Sequence, residues 1–105
     1  MNKYVVVTTL CNKENIANEI VDTLLNNKLV AGSQITKVQS KYWWDNALEE
    51  SVEYKIEFRT KENLFNEIKN VINKIHDYDV AEISYYEILG ANKEFLKWID
   101  KNVKI

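Results

Sequence analysis

The segment from Ser51 to Arg59 constrains the fold more strongly than any other part of the chain. Apolar and polar residues alternate along it, and the apolar set is Val52, Tyr54, Ile56 and Phe58. Successive side chains on a strand point to opposite faces, so an alternation of this kind predicts a β-strand that is buried on one face only.

The segments before it predict a strand, a helix and a second, longer strand. Tyr4 to Thr9 is rich in β-branched residues and predicts a buried strand. Apolar residues then recur at helical spacing after Asn12, a suitable N-cap, and this helix ends near Asn26 and Asn27. A long strand follows from about Val30 to Trp44, with a bend or bulge expected near Gly32.

The remaining segments complete the order of elements. Asp45-Asn46 is expected to close a tight hairpin because Asn tolerates positive φ. Thr60 is expected to cap a second helix that ends at His76. A strand from about Val80 to Leu89 and a short helix capped by Asn92 follow.

The order β-α-β-β-α-β plus a terminal helix is typical of the ferredoxin-like plan. We therefore predict an α+β fold with a four-stranded antiparallel sheet and helices on one face. The 105 residues contain no proline, two glycines and no repeat or linker, so residues 1–105 are expected to form one domain.

Composition excludes several functional classes. The net charge of −2 gives no general attraction to nucleic acid or to anionic membranes, so neither is an expected partner. Cys11 is the single cysteine, so no intramolecular disulfide forms, and a cytoplasmic location is expected. Sequence motifs for dinucleotide, P-loop or structural zinc binding are absent.

Tyr42-Trp43-Trp44 lies at the tip of the predicted hairpin. At most one of the two adjacent tryptophans can face the helix-covered core, because neighbouring strand residues point to opposite faces. The other tryptophan either packs loosely beneath the terminal helix or lies in a subunit interface, where Trp and Tyr are enriched. We favour the interface because the tip of a long hairpin projects beyond a small core.

The segment from His76 to Glu82 combines a histidine, a tyrosine and three carboxylates where a helix passes into a strand. Helix termination explains this composition, since His is favoured in the last helical turn and Asp in the turn that follows. A polar site for a cation or small ligand is the alternative, although no fixed metal-ligand spacing is present. From spacing alone, helix termination is the preferred explanation.

Three stretches together resemble the CutA (divalent-cation tolerance) family over nearly the whole chain. They are Ala17 to Ile35, Ser40 to Trp44 with Arg59-Thr60 downstream, and His76 to Glu82. Gly32 stands where the family commonly has a cysteine. The resemblance implies a compact ferredoxin-like homotrimer with long hairpins that reach across to neighbouring subunits, and a role in tolerance of divalent metals, copper in particular.

The resemblance also implies a site in the clefts between subunits. It places Tyr42, Trp44, Arg59 and Tyr78 around a ligand, with Arg59 suited to a small anion. It makes His76 and Glu82 the first metal ligands, with Cys11 as a further one. No cofactor is expected apart from a divalent metal such as copper, and no enzyme activity is expected.

Two other functional classes stay open. One is a scaffold trimer in which the aromatic and His-Asp-Tyr segments only hold subunits together. The other is a small hydrolase with His76 as general base, oriented by Asp79 or Glu82.

Overall fold

Four antiparallel strands and three helices make up residues 3–104, the part of the chain that the computed structural model describes. The strands are β1 (Tyr4–Cys11), β2 (Gly32–Trp44), β3 (Ala47–Lys61) and β4 (Ile83–Glu87), and the helices are α1 (Glu14–Asn26), α2 (Phe65–Ile75) and α3 (Lys93–Asn102). The spatial order of the strands is β2-β3-β1-β4. This arrangement confirms the α+β, ferredoxin-like prediction; residues 1, 2 and 105 of the predicted domain lie outside the described residues.

The core lies between one face of the sheet and the helices. Val7 of β1 is directly opposite Phe58 of β3, so the two side chains share the covered face, and both are fully buried. The helices contribute apolar side chains at helical spacing, namely Ile20, Leu24, Ile68 and Ile72. Each such side chain contributes roughly 1.5–3 kcal/mol on burial, which is the main stabilisation of a fold of this size.

The β2–β3 hairpin is much longer than the rest of the sheet. Its pairing runs without interruption from Gly32–Arg59 to Trp44–Ala47, so the bulge expected near Gly32 is wrong and β2 simply begins there. Asp45 and Asn46 both have positive φ, which confirms the predicted tight turn. Because β1 pairs with β3 only at residues 54–61, the hairpin extends roughly 20 Å beyond β1 as a two-stranded ribbon.

Both tryptophans at the hairpin tip lie outside the core. Trp43 is 73% exposed and Trp44 is 47% exposed. The ribbon has already left the core when it reaches them, so neither tryptophan packs beneath α3. Packing beneath the terminal helix is therefore wrong for this chain, and the subunit interface stays a prediction.

Several predicted boundaries of helices and strands are wrong. Lys13, not Asn12, precedes α1, and neither provides a side-chain cap. Thr60 does not cap α2: it belongs to β3, and α2 follows a 3₁₀ turn at Glu62–Leu64. The fourth strand covers only Ile83–Glu87 rather than 80–89, because it is paired only where β1 lies beside it.

Candidate functional site

An open groove lies at the end of the sheet where β1 stops and the hairpin continues. The loop between α2 and β4 forms its second wall, and the cavity volume is about 870 Å³. Its lining is mainly aromatic and acidic, and comprises Leu10, Gln39, Ser40, Lys41, Tyr42, Trp43, Trp44, Glu53, Asp77, Tyr78, Asp79, Val80 and Glu82. A cavity of this size is within the usual range for small-molecule sites.

Glu53 and Tyr78 join the two walls of the groove. The Tyr78 hydroxyl donates a 2.7 Å hydrogen bond to Oε2 of Glu53, whose residue exposure is only 5%. Burial, and then the hydrogen bond to Glu53, raise the pKa of Tyr78 well above its usual value. The hydroxyl therefore stays protonated at all physiological pH values and acts as a fixed donor to the carboxylate.

His76 attaches the loop to the end of β1. Its Nδ1 accepts a 3.2 Å hydrogen bond from the backbone N–H of Tyr78, and its Nε2 lies 2.5 Å from the carbonyl oxygen of Leu10. A carbonyl can only accept, so Nε2 carries the proton and the ring is the neutral tautomer. The ring is 1% exposed and stands at 4.6 Å, centroid to centroid, from that of Tyr78. Both nitrogens are therefore engaged, and metal coordination by His76 requires one of these bonds to break.

Cys11 lies beneath the same end of the sheet. It is fully buried, and its Sγ donates a 3.5 Å hydrogen bond to the carbonyl oxygen of Lys13. Burial raises the pKa of the thiol, with smaller contributions in the same direction from Asp77 and Glu53. A neutral, enclosed thiol is a poor metal ligand, because metals bind the thiolate.

The remaining carboxylates of the groove are more accessible. Glu82 accepts a 3.2 Å hydrogen bond from the Ser84 hydroxyl. Asp77 forms a 2.6 Å ion pair with Lys13, and this contact lowers the pKa of Asp77. Within residues 3–104, no group of three His, Cys, Asp or Glu side chains converges on one point. The metal assignment of His76, Glu82 and Cys11 stays a prediction.

Arg59 is separated from the other residues of the predicted ligand site. Tyr42, Trp44 and Tyr78 line one groove, but Arg59 lies about 20 Å along β3 from Glu53, at ~3.3 Å per residue. Its Nη1 is 3.5 Å from Oε1 of Glu57. Within one chain, the structure therefore brings together three of the four predicted ligand residues.

Sequence reasoning missed Glu53 as a residue of the site. The sequence places Glu53 among the polar residues of the alternating β3 segment, and that position predicts an exposed side chain. Its burial depends on the Tyr78 side chain, which approaches from a loop 25 residues further along the chain. No local pattern in the sequence carries that information.

Comparisons with known proteins identify one family. The family model described as "CutA1 divalent ion tolerance protein" matches residues 4–102. The divalent-cation tolerance protein CutA of Pyrococcus horikoshii is 33% identical over 100 residues, which cover 95% of this chain and 97% of that protein.

Solved structures of such proteins superpose closely on this chain. The structure of the periplasmic divalent cation tolerance protein CutA from Archaeoglobus fulgidus has a TM-score of 0.93 at 28% identity, covering 96% of this chain and 99% of that one. The structure of CutA1 from P. horikoshii has a TM-score of 0.91 at 30% identity, with coverage of 96% and 99%. Among residues 3–104, no helix has the length and apolar character needed to cross a membrane.

Proposed function

Because this chain belongs to the CutA1 divalent ion tolerance family, we propose that it is a non-catalytic homotrimer that takes part in the response to divalent cations such as copper. The proposed site of cation binding is the acidic groove beneath the hairpin of each subunit. We also propose a cytoplasmic location, which fractionation of the source cells tests directly.

The charge of the groove lining supports a cation rather than an anion. Glu53, Asp77, Asp79 and Glu82 line it, against a single lysine, Lys41. Even with Asp77 compensated by Lys13, the carboxylates outnumber the cations, and an anion entering the groove would be repelled. Binding of a small anion through Arg59 would have to occur in a cleft where a neighbouring subunit supplies that residue.

Glu82 is the proposed first ligand for a divalent ion, and Asp79 also belongs to the groove lining. Copper prefers imidazole and thiolate ligands, but the His76 ring is hydrogen-bonded and the Cys11 thiol is buried. We therefore expect the ion to complete its coordination with water or with groups from another subunit.

Calorimetric titration with Cu²⁺, Zn²⁺ and Mg²⁺ at neutral pH tests the metal site. Glu82→Gln should weaken binding by about tenfold, whereas Glu19→Gln on the exposed side of α1 should leave it unchanged. If no ion binds more tightly than about 1 mM, or if both variants behave alike, the metal site is wrong.

The exposed hairpin supports the homotrimer. Trp43 and Leu48 are directly paired on one face of the ribbon and are 73% and 61% exposed. An isolated two-stranded ribbon with apolar side chains on its surface is marginally stable in water, so contacts with another subunit would stabilise it. Light scattering should give three times the chain mass of 12.4 kDa, and Trp43→Glu should lower that value. A wild-type mass of one chain would contradict the proposal.

A structural trimer without a ligand is the second candidate. The observation in its favour is that His76 and Tyr78 are already occupied in fixing the loop to the sheet. His76→Ala separates the two functions: loss of assembly alone supports the scaffold, and an intact trimer with lost ligand binding supports the site. The engaged nitrogens of His76 also argue against the hydrolase hypothesis, since a general base needs a free lone pair.

A further inference from the structure

We propose that the groove binds an alkylammonium ion, with the positive head on the carboxylate of Glu53 and the methylene or methyl groups against Tyr42, Trp44 and Tyr78. This inference adds a ligand class to the cation groove proposed above, and it rests on that groove being open to cations. Three features of the described residues support it: an uncompensated buried carboxylate, aromatic walls on the same face, and a lack of converging metal ligands.

Glu53 carries a buried carboxylate without a cationic partner. Glu57 lies four residues after Glu53 on the same face of β3, so the partners of the two carboxylates can be compared directly. Glu57 accepts a 3.0 Å hydrogen bond from the Tyr86 hydroxyl and also has Arg59 at 3.5 Å. Glu53 accepts a shorter hydrogen bond from Tyr78, yet within residues 3–104 it forms no ion pair. A carboxylate with so little exposure is costly unless a positive charge compensates it.

One oxygen of Glu53 is available to a ligand. The hydrogen bond from Tyr78 reaches Oε2, and none of the hydrogen bonds within the described residues reaches Oε1. Lys41 does not fill this role, because it is paired with Glu50 and its Nζ lies 3.5 Å from Oε1 of that residue. Alternation along the ribbon places the Lys41–Glu50 pair on the face opposite Glu53.

The aromatic side chains lie on the same face of the hairpin as Glu53. Val38 is directly paired with Glu53, and Tyr42 and Trp44 lie four and six residues after Val38 on β2. Alternate residues of a strand share a face, so all of these side chains project from the same face of the hairpin. Tyr42 is 39% exposed and Trp44 is 47% exposed, so the chain itself leaves both rings open to the groove that they line. Tyr78 closes the opposite wall. A cation over an aromatic face gains ~0.5–1 kcal/mol in exposed sites and about 2 kcal/mol when desolvated.

The lining favours an organic cation over a bare metal ion at Glu53. Aromatic faces attract a cation but give a metal no donor atoms, and no set of three metal-ligating side chains is present within residues 3–104. An alkylammonium ion needs one carboxylate for its charge and apolar surface for its carbon atoms, and the groove supplies both. A volume of about 870 Å³ also accommodates a ligand with several carbon atoms.

The test compares choline with 3,3-dimethylbutan-1-ol, which has nearly the same shape and no charge. Binding is followed by calorimetry and by tryptophan fluorescence, since Trp43 and Trp44 line the groove. We expect choline to bind at least about tenfold more tightly than the neutral alcohol. Equal binding of the two, or no saturable choline binding up to ~50 mM, overturns the proposal.

Two variants locate the site. Glu53→Gln keeps an acceptor for Tyr78 but removes the charge, and should weaken choline binding by about tenfold or more. Glu57→Gln makes the same change on the same strand and face, and should leave choline binding unaltered. Trp44→Leu changes a residue that is half-exposed in the single chain, and it should weaken choline binding several-fold in a sample whose mass by light scattering equals that of the wild type. If choline binding is unchanged in Trp44→Leu, or equally weakened in Glu57→Gln, the proposed site is wrong.

The same protein samples separate this proposal from the metal site. Each sample is also titrated with Cu²⁺ and Zn²⁺, and the metal response should depend on Glu82 rather than on Trp44. Metal binding without choline binding overturns the alkylammonium site and leaves the metal proposal intact. Choline binding without metal binding overturns the metal proposal alone.

Discussion

Replacing Thr60 by valine tests whether one buried hydrogen bond holds β3 to the segment that follows α1. The Thr60 Oγ1 donates a 2.6 Å hydrogen bond to the carbonyl oxygen of Leu29, and both residues are essentially inaccessible to water. Valine fills the same volume but cannot donate, so the carbonyl loses this donor and no solvent replaces it. An unsatisfied buried acceptor costs ~1–3 kcal/mol, and we expect Thr60→Val to destabilise the protein by about that amount.

Thr9→Val provides a matched control on the neighbouring strand. Thr9 is also fully buried, but within the described residues its Oγ1 has no hydrogen-bond partner. Removing a buried hydroxyl without a partner removes a desolvation cost, so Thr9→Val should stabilise the protein by up to ~1–3 kcal/mol. The same chemical change is therefore expected to have opposite signs at two positions of one sheet.

Urea unfolding, followed by circular dichroism, measures both effects. All samples must have the same protein concentration, because an assembly gains stability with concentration. With a slope of ~1–3 kcal/mol per molar urea, Thr60→Val should lower the midpoint by about 1 M, whereas Thr9→Val should raise it. If both variants shift the midpoint in the same direction and by similar amounts, the argument from hydrogen-bond satisfaction is refuted.

Three further predictions use other parts of the chain. In Gly32→Ala the new Cβ would stand 2.7 Å from Cη2 of Trp98, the far end of a partly exposed side chain that can move aside, so we expect a changed fluorescence spectrum and a loss of only ~0.5–1.5 kcal/mol in the urea assay; a wild-type spectrum would contradict the predicted contact. The contact with Lys61 lowers the pKa of Asp100 below its usual 3.8, so its stabilisation is complete above that pH and is lost as the pH falls through the lower folded-state value. The urea midpoint of Asp100→Asn should consequently change less than that of the wild type between pH 5 and pH 2, and parallel pH profiles would disprove the link. Buried Cys11, whose thiol pKa is raised, should react with a thiol reagent only as fast as the protein opens; reaction at the rate of a free cysteine would contradict its enclosure.

Local sequence chemistry predicted the parts of the fold that depend on neighbours along the chain. The alternation from Ser51 to Arg59 and the Asp45-Asn46 turn are confirmed because strand periodicity and positive φ are local properties. Thr60 shows the limit of this reasoning: a hydroxyl before an apolar helical segment suits an N-cap, yet its partner is 31 residues away. The same limit applies to Glu53, whose burial depends on a tertiary contact. The aromatic residues of the groove were predicted through the family resemblance, and not from spacing.

The groove is a consequence of unequal strand lengths. β1 ends at Cys11, opposite Tyr54, while β2 and β3 remain paired as far as Trp44 and Ala47. Polar side chains on the part of β3 that does not pair with β1, Glu53 among them, would be open to solvent if the loop after α2 did not fold against them. His76 binds the loop to the last residues of β1, and Tyr78 binds it to the hairpin, so the loop spans the position that a longer β1 would occupy. A strand there would satisfy backbone groups and leave no cavity, whereas a loop held at two points leaves a groove lined by the Glu53 carboxylate and by aromatic rings. The features that the sequence shows separately, a long hairpin and a His-Asp-Tyr segment, therefore form a single site because β1 is short.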